Sequence, residues 1–164
     1  MKDRYNLVFV CMGNICRSPA GDNIFRHVVK EAGLSDRIQC DSAGTIGFHT
    51  GKKPDSRMSE TLRRRGYKVT GYARQFGFHD FEAFDLILTM DDENHHNVLK
   101  LAKTDVDRAR VRKFTDFCRN HEHTEVPDPY YGGEAGFQLV ADLIEDGAVG
   151  LLDYVKGELG ITTD

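Results

Sequence analysis

The sequence predicts an α/β fold: a single-domain, doubly wound, four-stranded parallel sheet with helices on both faces. The first observation behind this prediction is the alternation of short apolar runs with longer helix-like segments, which is typical of parallel strands joined by helices. The second observation is size. A chain of 164 residues, 40% of them hydrophobic, is long enough to bury one proper core. We therefore expect residues 1–164 to form one domain without repeats or linkers.

The first predicted elements are a strand over Asn6–Val10 and a helix from Ser18 to Ala32. The strand is an apolar run, and the helix repeats apolar residues at helical spacing until Gly33 stops it. This apolar stripe consists of Ile24, Phe25, Val28, Val29 and Ala32. A second strand is predicted near Ile38–Ala43.

The remaining predicted elements continue the same alternation. In chain order they are a Gly-rich loop over Gly44–Gly51, a charged helix between Pro54 and Gly66, a strand over Asp85–Met90, a helix over Glu93–Ala102, a strand over Val111–Phe114 and a last helix over Glu134–Lys156. If strands 2 and 3 flank strand 1, the loop after strand 1 lies at the topological switch point. Sheets of this type bind ligands there.

The loop after strand 1 has the composition of an anion site. Residues 11–18 read Cys-Met-Gly-Asn-Ile-Cys-Arg-Ser. A short loop between a strand and a helix directs successive backbone N–H groups inward, where they can hold a phosphate. The Arg17 guanidinium would complete the ring, because its planar fork matches two phosphate oxygens. The predicted phosphate-binding loop comprises Met12, Gly13, Asn14, Ile15, Cys16 and Ser18.

Cys11 would lie under the bound phosphorus as a nucleophile. Cationic and helix N-terminal surroundings favour the thiolate form of a cysteine. The Ser18 hydroxyl is placed to donate to the sulfur and to help it leave. The plain alternative is a buried cysteine that ends a strand. Gly13 and Asn14 within the loop, and Ser18-Pro19 after it, favour the nucleophile.

Asp128 is the candidate proton donor. Displacement of an oxygen leaving group from phosphorus requires a proton, and Asp128 lies between two prolines that restrict its loop. Tyr130 and Tyr131 follow directly and would form an apolar wall. The alternative is an ordinary turn aspartate, since Asp next to Pro is common in loops.

Taken together, these motifs closely resemble the low-molecular-weight protein tyrosine phosphatase family. The segments that carry the resemblance are Val10–Pro19, Asp41–Gly44, Phe84–Asp91 and Asp128–Gly132. The resemblance implies hydrolysis of phosphotyrosine in proteins, and of aryl phosphates, through a phosphocysteine on Cys11. Arg17 would bind the phosphate, and Asp128 would act as general acid and then as base. The family needs no metal and no cofactor.

The resemblance also assigns supporting residues. Asn14, Ser18 and Ser42 would brace the loop through hydrogen bonds. Many family members have a bracing histidine where this chain has Tyr72, so Tyr72 is left out of the predicted site. Phe48 aligns with a variable specificity position and, with Tyr130 and Tyr131, would form the wall of a slot for a phenyl ring.

Three alternatives stay open on the same loop. Phosphoarginine hydrolysis is one, although enzymes resembling this family that act on phosphoarginine tend to have Thr at the position of Ile15 and to lack the tyrosine pair. Arsenate reduction is another, but the stretch from Gly71 to Met90 has no resolving cysteine and Cys118 lies far along the chain. The third is a non-catalytic phosphate-binding module, which the presence of both Cys11 and Asp128 disfavours.

The composition argues against two classes of partner and predicts the compartment. A net charge of −4 argues against nucleic-acid binding, and no apolar stretch reaches membrane-spanning length. The four cysteines resemble no secreted disulfide framework, so we expect a cytoplasmic protein.

Cys16 is a candidate redox partner that would shield Cys11 in a reversible disulfide. As in relatives, Tyr130 and Tyr131 are candidates for phosphorylation by a cognate tyrosine kinase.

Overall fold

Four parallel strands form the sheet, in the order β2-β1-β3-β4. The structure is a computed structural model, and it describes residues 2–161; the ends of the predicted domain, Met1 and residues 162–164, lie outside the described residues. The strands are β1 (Tyr5–Cys11), β2 (Ile38–Gly44), β3 (Leu86–Thr89) and β4 (Val111–Lys113). The helices are α1 (Arg17–Glu31), α2 (Ser56–Arg64), α3 (Asp80–Ala83), α4 (Asp92–Leu101), α5 (Asp105–Ala109) and α6 (Glu134–Glu158), with a 3₁₀ turn at Phe114–Phe117.

Strand β1 lies at the centre of the sheet because it can bury side chains on both faces. Its odd-numbered residues Leu7 and Phe9 pack in one cluster, and its even-numbered residues Val8 and Val10 pack in another. The first cluster lies under α1 and α6, whereas the second contains Phe81 of α3 and Val98 of α4. Helices therefore cover both faces, and the predicted doubly wound fold is confirmed.

The sheet order places the loop after β1 at the switch point. Val10 is paired with Ala43 of β2 on one side and with Thr89 of β3 on the other. The chain leaves β1 toward β2 through α1 and reaches β3 on the opposite side. The carboxyl ends of three strands consequently surround the loop that follows Cys11, as predicted.

The structure differs from the predicted elements at short or terminal segments. The prediction missed α3 and α5, which have four and five residues and are too short for a periodic signal. Phe114 begins the 3₁₀ turn rather than ending β4, and Ala32 is exposed at the end of α1. Within residues 2–161, no helix combines the length and the apolar character that a membrane crossing requires.

Candidate active site

Asn14 fixes the shape of the loop between β1 and α1. Its φ angle is 59°, a left-handed conformation that costs an asparagine less than most residues. Its side-chain Nδ2 donates to the Ser18 Oγ at 2.7 Å, and its Oδ1 accepts the backbone N–H of Arg74 at 2.9 Å. One buried side chain thus holds the strained turn against two other segments.

The Cys11 sulfur lies inside the ring made by this loop. It is 3.0 Å from the Ser18 Oγ and 3.4 Å from the Ser18 nitrogen, whose N–H donates to it. The Ser18 hydroxyl also lies 3.2 Å from the carbonyl oxygen of Ala43. The sulfur is therefore in contact with the first turn of α1, the end of a helix that favours negative charge.

Arg17 is buried beneath the loop, with a side chain only 3% exposed. Its Nη1 donates to the Asp91 Oδ2 at 2.5 Å and to the Val126 carbonyl at 3.1 Å. Burial alone would lower the pKa of the guanidinium, but negative groups at Cys11, Asp91 and Asp128 outweigh this effect and raise the pKa. Arg17 is therefore a fixed cation.

Asp91 is a site residue that the motif reasoning missed. It follows β3, and its Oδ1 accepts the Asn94 N–H at 2.7 Å as the N-cap of α4. The other carboxylate oxygen holds Arg17. The available signal was its place at the carboxyl end of a predicted strand, at the edge where the ligand loop lies.

Asp128 lies near the second guanidinium nitrogen of Arg17. Its Oδ2 lies 3.7 Å from the Arg17 Nη2, and its side chain is 37% exposed. Its Oδ1 accepts the backbone N–H of Tyr130 at 3.0 Å. The carboxyl group is thus held within its own loop at the mouth of the site.

A small cavity of about 70 Å³ joins these groups. Its lining consists of Cys11, Met12, Gly13, Ile15, Cys16, Arg17, His49, Asp128, Tyr130 and Tyr131. The His49 and Tyr130 rings both line it and form a tilted pair, with centres 6.3 Å apart. His49 was not among the predicted residues. Its neighbour Phe48 was predicted, but its ring is 79% exposed and stands edge-on to His49 outside the lining.

The other predicted residues occupy distinct places. Ser42 is buried on β2 opposite Phe9, and in residues 2–161 the bond from β2 to the loop comes from Ala43 rather than from the Ser42 hydroxyl. Tyr131 is 93% exposed at the rim, and Tyr72 is exposed on the surface. The loop-bracing bond in that region comes from the Arg74 backbone.

Cys16 is buried in the cavity lining beside Cys11. Burial raises the pKa of its thiol, and the nearby Asp55 carboxylate and Cys11 raise it further. Cys16 therefore stays protonated at neutral pH. All four cysteines are free thiols in the structure.

Comparison with known proteins agrees with this geometry. The family model described as low molecular weight phosphotyrosine protein phosphatase matches residues 6–160. The chain belongs to this family. It is 50% identical over 153 residues to slr0328 of Synechocystis, named for the same family, which covers 93% of this chain and 98% of the relative.

Solved structures of relatives share the fold of this phosphatase. A protein tyrosine phosphatase from Entamoeba histolytica is 42% identical, with a TM-score of 0.90 over 95% of this chain and 98% of the other. A Drosophila protein named as an arginine phosphatase is 29% identical, with a TM-score of 0.84 over 92% and 97% of the two chains. The protein is thus a cysteine-dependent phosphoric monoester hydrolase of the protein tyrosine phosphatase class.

Proposed function

We propose that this phosphatase cleaves phosphotyrosine in two steps, with Cys11 as the nucleophile, Arg17 as the phosphate ligand and Asp128 as the proton carrier. One observation supports this most directly: a single small cavity is lined by Cys11, Arg17 and Asp128 together. Cys11 lies at the helix end, and Asp128 lies at the mouth, where a leaving group would depart.

In the first step, the Cys11 thiolate attacks phosphorus in line with the tyrosine oxygen. An S–P bond forms as the P–O bond breaks, and the proton of Asp128 passes to the leaving oxygen. Arg17 and the N–H groups of the loop stabilise the charge on the three equatorial oxygens. The products are the free tyrosine hydroxyl and a phosphocysteine.

In the second step, water releases the phosphate. The Asp128 carboxylate takes a proton from the attacking water, an O–P bond forms and the S–P bond breaks. The Ser18 hydroxyl, 3.0 Å from the sulfur, donates to the departing thiolate. Inorganic phosphate and a protonated Asp128 remain, so the cycle closes without a net change in the enzyme.

We infer that Asn14 and Ser42 keep the loop open for these steps. The Asn14 bonds to Ser18 and Arg74 support its bracing role. Ser42 contributes through its buried position on β2, next to the Ala43 carbonyl that contacts Ser18.

We infer that the substrate ring packs against Tyr130 and His49, which line the cavity, with Phe48 and Tyr131 at the rim. Aromatic side chains in the lining suit contact with a phenyl ring. Ile15 in the lining and the tyrosine pair favour phosphotyrosine over phosphoarginine, which the name of the Drosophila relative keeps as the second candidate. Arsenate reduction and a non-catalytic phosphate-binding role have less support.

We further propose that the cysteines and the exposed tyrosine serve regulation and indicate the compartment. Cys16 lies in the same cavity lining as Cys11, which suits a reversible disulfide that protects the nucleophile after oxidation to a sulfenic acid. The exposed Tyr131 is accessible to a cognate tyrosine kinase. Four free thiols fit a reducing compartment such as the cytoplasm.

Phosphate release in the presence of EDTA tests the proposal. We would assay wild type, Cys11→Ser and Asp128→Asn, each on a phosphotyrosine peptide, a phosphoserine peptide and a phosphoarginine protein. We expect turnover of phosphotyrosine alone, abolished in the first variant and strongly reduced in the second. Faster turnover of phosphoarginine would overturn the substrate assignment, and full activity of Cys11→Ser would overturn the mechanism.

A further inference from the structure

Arg57, near the start of α2, lies between the buried core and the wall of the active-site cavity. Its guanidinium carbon is 5.3 Å from the centre of the Tyr130 ring and 4.8 Å from that of Phe137. Tyr130 lines the cavity with Cys11, and Phe137 is a buried residue of α6. A guanidinium at these distances is attracted to both rings. Arg57 therefore ties Tyr130 to the core.

Asp55 holds the Arg57 side chain in this position. Its Oδ1 accepts from the Arg57 Nε at 3.3 Å, and its Oδ2 accepts from the Arg57 Nη2 at 3.0 Å. Lysine cannot reproduce this two-point contact. Asp55 is itself fixed, because its Oδ1 also accepts the backbone N–H groups of Arg57 and Met58 as the N-cap of α2.

Backbone hydrogen bonds extend this pair in both directions. The Asp55 N–H donates to the carbonyl oxygen of Ile15, within the phosphate-binding loop, at 2.8 Å. At the other end, the Tyr130 N–H donates to the Asp128 Oδ1 at 3.0 Å. The contacts form one continuous chain: Ile15, Asp55, Arg57, Tyr130, Asp128.

The loop that carries Asp128 needs such a connection. It belongs to no strand or helix, since the chain between the 3₁₀ turn and α6 has no regular structure. The Asp128 carboxylate is partly exposed and lies 3.7 Å from Arg17. Proton transfer demands a defined separation between acid and leaving oxygen. The nucleophile, by contrast, lies at the end of a central strand.

We propose that Arg57 is a positioning residue for proton transfer: with Asp55, it holds Tyr130 and Asp128 at a fixed distance from the phosphate-binding loop. This inference rests on the proposed role of Asp128 as general acid. Its competitor is a purely structural role, in which Arg57 only covers the Phe137 ring. The two roles differ in one property, because only a positioning role depends on how strongly the leaving group needs a proton.

The test compares two small substrates in Arg57→Met, which keeps an unbranched apolar side chain over Phe137. O-phosphotyrosine releases a phenol with a pKa of about 10 and needs the proton, whereas 2,4-dinitrophenyl phosphate releases a stable phenolate. We expect kcat/KM for phosphotyrosine to fall roughly 10- to 100-fold, the range for a catalytic group displaced by up to about 1 Å. The value for the dinitrophenyl ester should stay within about two-fold of wild type, and Arg57→Lys should show a partial loss.

Arg64→Met is the matched control. Arg64 lies on the same helix and pairs with the exposed Glu60 at 2.8 Å, so its replacement should leave both kcat/KM values unchanged. An equal loss on both substrates in Arg57→Met, or no loss on either, would overturn the inference. If Arg57→Met does not fold, Asp55→Asn, which retains a capping side chain, takes its place, and the same comparison of the two kcat/KM values decides the inference.

Asp128→Asn distinguishes a failure of the positioning role of Arg57 from a failure of the proposed general-acid role of Asp128. If this variant loses phosphotyrosine turnover selectively and Arg57→Met does not, the inference fails and the proposed function stands. If Asp128→Asn also lacks the selectivity, the general-acid role fails, and the positioning role of Arg57 fails with it. Selective loss in both variants supports both.

Discussion

Replacement of Asp91 by Asn tests whether Arg17, the proposed phosphate ligand, is oriented by a carboxylate outside its own loop. The buried Arg17 donates to the Asp91 Oδ2 at 2.5 Å. A hydrogen bond to a charged group is worth about 1.5–3 kcal/mol, and the substitution removes this bond, because an Asn that caps α4 with its oxygen turns its NH2 group, which cannot accept, toward Arg17. Asn remains a good N-cap, so the first turn of α4 keeps its bond to the Asn94 N–H. The change therefore acts on Arg17 rather than on the helix.

The loss of orientation should appear as a loss of transition-state stabilisation. About 1.5–3 kcal/mol corresponds to a roughly 10- to 150-fold decrease in kcat/KM, measured as phosphate release from a phosphotyrosine peptide. Asp92→Asn is the neighbouring control: that side chain is 72% exposed and pairs with Lys113, and a surface pair contributes only about 0–1 kcal/mol. A kcat/KM for Asp91→Asn within two-fold of wild type would refute the orienting role.

Three further outcomes are expected. Gly44→Ala should lower kcat/KM at least ~10-fold, because its Cβ would lie 2.7 Å from the Met12 carbonyl oxygen in the phosphate-binding loop; Gly157→Ala, with open space around it, should leave kcat/KM unchanged in the same assay. Burial raises the pKa of Cys118 to about 12, so its alkylation by iodoacetamide, followed by peptide mass spectrometry, should still accelerate with each pH unit above 9. Burial would raise the pKa of Asp146, but hydrogen bonds from His121 and two backbone N–H groups lower it below its ordinary value. Urea unfolding of Asp146→Asn should therefore show its largest loss of unfolding free energy at pH 7, and this loss should shrink as the pH falls below about 4, the ordinary Asp value.

The parts of the site that could be predicted from the sequence are local in the chain. Cys11, Asn14, Arg17 and Ser18 lie within eight consecutive residues, and a strand, a turn and a helix start are short-range signals. The same holds for the sheet, because apolar runs between helices indicate parallel strands without knowledge of their partners. These predictions required no long-range contact to be known.

The residues that the sequence did not reveal act through long-range contacts. Asp91 reaches Arg17 across 74 positions of the chain, and Arg57 contacts Tyr130 only because α2 folds beside the loop before α6. His49 lines the cavity in place of its neighbour Phe48 because the loop turns the histidine inward. A one-residue difference in a loop has no periodicity to indicate it.

The two sides of the site are held by different kinds of contact. Three strand ends hold the phosphate side: β1 supplies Cys11, β2 supplies the Ala43 carbonyl, and β3 leads to Asp91. Asp128, the proposed proton donor, has no strand beneath it. Its loop is linked through Tyr130 to Arg57 of α2, which packs against Phe137 of α6. Substitutions on the strand side should therefore lower the turnover of every phosphate ester. Substitutions that loosen the Asp128 side should act most on substrates whose leaving groups need a proton.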